Sequence, residues 1–134
     1  MKVVEGKITS PFGDRIHPLT GLKMFHNGID IACPVETPVH SPVDGEIKLV
    51  YTHDTGGLTV ILGDARCRFG FCHLSLAPLP AGTKVKKGDI IALSGKTGRV
   101  TGPHLHYTVQ VEGSWDGDEW HPGRLVDPAS HVEF

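Results

Sequence analysis

The chain has 134 residues, 39% of them apolar, and a formal net charge of −2. That length suits one domain around one core, and the near-neutral charge without a basic run excludes electrostatic capture of nucleic acid or anionic lipid. No apolar stretch approaches the ~18 residues of a membrane span, and the opening "MKVVEGKITSPFG" lacks the apolar run of a secretory signal.

Seventeen glycines and ten prolines are spread along the whole length. The longest segment free of both is 46–55, shorter than a typical helix of ~11 residues. Both residues interrupt helices, so the expected fold is all-β with few or no helices: a twisted antiparallel sheet or β-sandwich. The predicted strands, in order, are 46–52, 58–62, 68–73, 90–94 and 104–112. Turns at Asp44-Gly45, Gly56-Gly57, Gly63-Asp64 and Lys87-Gly88-Asp89 separate them. The run Thr59-Val60-Ile61-Leu62 reads as a strand buried on both faces. The tail "HPGRLVDPASHVEF" reads as irregular structure closing the domain, with no internal repeat or linker before it. The three cysteines, Cys33, Cys67 and Cys72, are odd in number and argue against a disulfide framework. Cys67 and Cys72 face opposite sides if one strand carries both.

Nine histidines are the compositional oddity. His17, His40, His53, His121 and His131 lie beside turn residues or near an end, where surface or structural roles are expected. The other four have patterned surroundings. In "HNGID", Asn27-Gly28 follows His26 and argues for a turn. Asp30 then falls between Ile29 and Ile31, where its carboxylate either faces solvent or needs a buried partner or a metal. In "HLH", a strand places His104 and His106 on one face, roughly 7 Å apart, with Leu105 pointing the other way into the core. Two neutral imidazoles on one face are a frequent start for a metal site, although exposed histidines on a sheet surface would give the same pattern. His26, Asp30 and one of the pair together offer three N/N/O ligands, which leaves a fourth tetrahedral position open, the arrangement of catalytic rather than structural zinc.

These motifs resemble the lysostaphin-type, LytM-like zinc endopeptidases, which cut peptide bonds in bacterial peptidoglycan. "ITSPFGDRIHPLTG", "HNGIDIACPVETPVHSPVDGEI", "FCHLS" and "VKKGDIIALSGKTGRVTGPHLHY" match that family's segments in order and spacing over nearly the whole chain. The resemblance implies one zinc ion per chain, held by His26, Asp30 and His106, with His73 and His104 as catalytic histidines. It implies a single peptidase domain over residues 1–134, peptidoglycan peptides as partners and action at the cell wall; the charge and hydropathy add the expectation of no nucleic acid and no membrane insertion, and a monomer is expected. Three departures from the family pattern stand out: Glu36 where a glycine is usual, Cys72 in place of an alanine, and Thr108 where a glutamate is common.

The implied mechanism has zinc lowering the pKa of bound water and polarising the scissile carbonyl, while His73 and His104 share the proton transfers and help hold the oxyanion. Tyr107 alternates away from the ligand face and is expected in the core. An open groove is expected between loops 12–26, 52–57 and 113–124. The last carries Trp115 and Trp120, either to stack on ligand or to plug the end of the sandwich. Two rival readings remain at this point. One is a non-catalytic cell-wall or partner-binding module of the same fold. The other is a lipoyl- or biotin-type carrier domain modified on Lys96 in "SGKTG", which leaves the histidine set unexplained.

Overall fold

A computed structural model describes residues 2–16 and 20–131. His17 lies outside the described residues, as does the side chain of His131. The strands are β1 (Lys7–Ser10), β2 (Gly13–Ile16), β3 (Lys23–His26), β4 (Ile29–Ala32), β5 (Pro38–His40), β6 (Gly45–His53), β7 (Gly57–Gly63), β8 (Arg68–Leu76), β9 (Lys84–Val85), β10 (Ile90–Ser94), β11 (His104–Val111), β12 (Ser114–Asp116), β13 (Glu119–His121) and β14 (Arg124–Val126). The one helix among the described residues is α1 (Pro128–His131). All the pairings are antiparallel.

The main sheet runs β1-β4-β11-β8-β7-β6-β9, with β5, β10 and β14 joined as branches. The expected all-β class holds, and the five predicted strands appear as β6, β7, β8, β10 and β11. β8 runs on past His73 to Leu76. Residues Thr59 to Leu62 of β7 are all buried, as their unbroken apolar or β-branched character requires. The core is a cluster of Ile, Val, Leu, Phe and Tyr side chains from most of the main-sheet strands, including Ile31, Leu62, Phe71, Leu105 and Tyr107.

The tail differs from the irregular segment expected. Arg124–Val126 adds a strand to the edge of β11, pairing Val109 with Val126. Asp127 then caps α1: its Oδ1 accepts the Ala129 N–H at 3.0 Å, with Pro128 in the first helical position, where its missing N–H costs nothing. The cysteines are free. Cys67 precedes β8 rather than sharing it with Cys72, so the facing argument does not apply to that pair.

Glu36 occupies the left-handed region at φ 69°, where a glycine carries no Cβ penalty, and its N–H donates to the Ser94 carbonyl. Thr108 is buried and packs against Gly28 and Gly70.

Candidate metal centre

β11 is the spine of the site. It pairs with β4 on one side, where His106 lies opposite Asp30, and with β8 on the other, where His106 lies opposite Cys72. Residues directly opposite in a sheet share a face. Asp30, His106 and Cys72 therefore form a row across three strands, and His104 joins that face two residues along from His106. The reverse face carries Ile29, Ile31, Leu105 and Tyr107, all at most 1% exposed, which fixes the register: a one-residue slip would expose the core and bury the polar row.

His26 arrives from a different direction. It ends β3, and the two-residue turn Asn27-Gly28 leads into β4. Gly28 is needed there, because a Cβ would lie 2.3 Å from the Tyr107 carbonyl oxygen of β11. That close approach seats Asn27 against His106, whose Nε2 lies 2.9 Å from the Asn27 Oδ1. Sequence reasoning found the turn but not this role for Asn27.

His73 is placed by a bulge. β8 pairs with β11 up to Cys72, then with β10 from Leu74 onward, so His73 sits where the strand changes partners. On the β7 side, Cys72 and His73 together oppose Thr59. The extra residue adopts φ 64°, a strained value for histidine, and its N–H donates to the Gly56 carbonyl at 2.7 Å. Consecutive residues of a regular strand face opposite ways; the bulge lets Cys72 and His73 both line one cleft. Thr97 anchors this corner. Its carbonyl lies 2.8 Å from His73 Nδ1, and its hydroxyl donates to Leu74 O and accepts the Leu58 N–H.

The result is a cleft of about 490 Å³ lined by His26, Asp30, Cys72, His73, His104 and His106, with walls from Arg15, 55–56 and 99–101. His26 and His106 have ring centroids 5.1 Å apart, and His73 and His104 4.7 Å. The ligating atoms of His26, Asp30 and His106 lie within 4.8 Å of one another. All five residues singled out in the sequence thus meet in one cleft.

Two of the three expected wall segments hold. The segment 12–26 contributes Arg15 and His26, though as the hairpin β2–β3, and 52–57 contributes Thr55 and Gly56. The segment 113–124 does not reach the cleft. It follows the far end of β11, roughly 23 Å along the strand from His104, and folds into the hairpin β12–β13. There Trp115 covers Gly63 and donates from Nε1 to Cys67 O, while Trp120 packs on Gly113 and donates to Gln110. The tryptophans plug that end rather than line the site, and residues 99–101, not expected as a wall, take the place in the cleft. Cys72, one of the departures from the family pattern, also enters the cleft, where burial pushes its thiol up and keeps it neutral.

The hydrogen bonds set the proton positions. A carbonyl oxygen only accepts, so His26 donates from Nδ1 to Pro11 O at 2.9 Å and presents Nε2 to the Asp30 Oδ2 at 3.4 Å. His73 and His104 likewise donate from Nδ1, to Thr97 O and Gly102 O, and keep Nε2 for the cleft. His106 Nε2 donates to Asn27, so its Nδ1 meets Asp30 Oδ1 at 2.8 Å. His106 Nδ1 and His26 Nε2, the ring nitrogens not committed to Asn27 and Pro11, both face oxygens of Asp30. A divalent cation among the three would take one lone pair from each of these nitrogens and from Asp30, and donors bonded ~2.0–2.1 Å from a tetrahedral ion stand roughly 3.4 Å apart. The donor set therefore fits a metal ion. Burial pushes the Asp30 carboxyl up, but the hydrogen bond with His106 and the surrounding imidazoles outweigh it and hold the group below its ordinary value. Burial also holds His73 below the usual imidazole value against the pull of the Thr97 carbonyl, with His104 and His106 adding to the lowering.

Comparison with known proteins agrees with this geometry. Residues 24–119 match the model for peptidase family M23. The chain belongs to that family. The match takes in every residue of the polar cluster, from His26 to His106. Over 109 residues the chain is 41% identical to the peptidoglycan DD-endopeptidase ShyA of Vibrio cholerae, covering 80% of this chain and 25% of the relative. A solved zinc-containing peptidase from Vibrio cholerae superposes with a TM-score of 0.75 at 36% identity, over 91% of this chain and 36% of that one. The catalytic domain of the antimicrobial peptidase lysostaphin from Staphylococcus simulans superposes with a TM-score of 0.71 at 30% identity, over 87% and 88% of the two chains. The chain spans about a quarter of the length of the curated relatives it matches.

Proposed function

We propose that this chain is a peptidase domain that hydrolyses peptide bonds in bacterial peptidoglycan, using one zinc ion held by His26, Asp30 and His106. The observation that carries the reading is the meeting of these three groups in one cleft with two further imidazoles, each with its Nδ1 already committed to a backbone carbonyl. Relatives named as peptidoglycan DD-endopeptidases, and a neighbour named as containing zinc, support this choice of substrate and metal.

Bound zinc would supply a water of lowered pKa and a Lewis acid for the scissile carbonyl. The protein's own groups do the rest. Asn27 and Pro11 hold the His106 and His26 rings so that Nδ1 of one and Nε2 of the other face Asp30. Ligand orientation of this kind is what outer hydrogen bonds provide in metal sites. His73 and His104 keep Nε2 free toward the cleft. His73, held neutral by burial, is suited to take a proton near pH 7, and either imidazole can then deliver one to the departing amine. The β7–β8 bulge fixes His73 on the same side as the metal-binding row, which makes shared proton transfer geometrically possible. A monomer suffices, because one chain provides every group.

The test is release of amines from purified peptidoglycan. A chelator abolishes release and added zinc restores it. His106→Ala lowers turnover by at least about 10³-fold, since a metal ligand is lost. Full activity of metal-free or His106→Ala protein would exclude the reading, and binding of peptidoglycan without any release would return it to the binding-module alternative.

A further inference from the structure

The cleft carries two charges that the chemistry above does not use. Arg15 lies on β2 and Arg99 in the segment between β10 and β11, and both line the cleft. Neither is held by a carboxylate among the described residues. Asp14, next to Arg15, pairs instead with Lys23 at 3.2 Å. Asp30, the one acidic residue lining the cleft, has its oxygens facing His26, His104 and His106. Elsewhere a guanidinium can find its match: Arg124 forks onto both oxygens of Glu112.

Both arginines are nevertheless positioned. Arg15 donates from a terminal nitrogen to the Ser10 Oγ. Arg99 is anchored through its backbone N–H on the Thr55 carbonyl, the neighbour of the Gly56 that holds His73. Each keeps free N–H groups for a ligand. A chain of net charge −2 thus presents a cleft whose fixed charges, with a divalent cation against Asp30, are positive overall. Guanidinium groups in such a place match planar anions, above all carboxylates, in bidentate geometry.

We infer that Arg15 and Arg99 read carboxylate groups on the substrate, so that the cleft selects peptides bearing free carboxylates beside the bond to be cut over neutral ones. This deepens the proposed peptidase reading and rests on it. It makes the two arginines specificity determinants, not catalytic residues. They contact substrate flanking the reacting atoms and act through KM.

The experiment compares two synthetic cross-linked stem-peptide dimers, one with free carboxylates and one with the same groups amidated, on zinc-loaded protein of measured metal content. The expected wild-type preference in kcat/KM for the acid is about tenfold or more, carried by KM and weakened at 0.5 M salt (on the order of 3–10 Å screening). Arg15→Gln or Arg99→Gln reduces the preference about three- to tenfold each, and the double variant brings it near one. Arg→Lys variants retain charge without the fork and fall between. A preference that is absent in wild type, or that survives in the double variant, overturns the inference while leaving the peptidase reading intact. A second measurement covers the case of no hydrolysis: calorimetric binding of both dimers to the His73→Ala protein. Arginine-dependent preference for the acid there upholds the inference even if the peptidase reading fails; equal binding of acid and amide overturns it.

Discussion

The two faces of β11 belong to the same eight residues and have opposite physical characters. One face presents His104 and His106 to the polar cleft, each of the histidines hydrogen-bonded through Nδ1. The other buries Leu105, Tyr107 and Val109 completely. There Tyr107 stacks on Phe71, its cross-strand partner, with centroids 5.1 Å apart. The polar face meets its hydrogen-bonding needs through the Gly102 carbonyl, Asp30 and Asn27. The apolar face gains stability from burial and contains the one buried side-chain polar atom without a partner among the described residues, the Tyr107 hydroxyl. The labour is divided: the reverse face holds the register, and the register keeps His106 opposite Asp30.

Neighbouring substitutions separate these roles. Leu105→Ala removes a fully buried side chain and is expected to lower unfolding free energy by about 2–5 kcal/mol, read by denaturant titration. His104→Ala, one residue away on the cleft face, should change stability by less than about 1 kcal/mol while reducing turnover about 10²- to 10⁴-fold. If both changes act mainly on stability, the comparison between the faces fails. A smaller effect sharpens it. Tyr107→Phe deletes the unpartnered hydroxyl and keeps the ring, so thermal unfolding should show a neutral change or a gain of up to about 1 kcal/mol. A clear loss would mean that the hydroxyl has a partner in solution.

Much of this division was legible in the residues themselves. The H-x-H spacing places two imidazoles on one face because side chains in a strand repeat every two residues, and the apolar residue between them then has to enter the core. The long strands between glycine-rich turns were legible for the same reason. The short strands β1–β5 and β12–β14 were not: with three or four residues each, they are too short for a period-2 pattern to show against a background of Gly and Pro. His73 is the instructive case. Its place in a strand could be read, but not the bulge that turns it into the cleft, since no glycine marks the left-handed position. The tryptophan loop was misplaced because composition says that a Trp covers something but not what; here it is Gly63 and Gly113, at the far end of the sheet. Asn27 shows a residue with two roles, of which only the turn has a sequence signature.

The most direct measurement is zinc stoichiometry by competition with a chromophoric chelator, made on wild-type, His73→Ala and Asp30→Ala proteins of verified fold. The expected result is about one zinc per chain for wild type and for His73→Ala, and for Asp30→Ala an affinity weakened by more than about 100-fold. A wild-type chain that takes up no zinc, or an Asp30→Ala chain that holds it as tightly as wild type, would contradict the central claim that the row across β4 and β11 is a metal site.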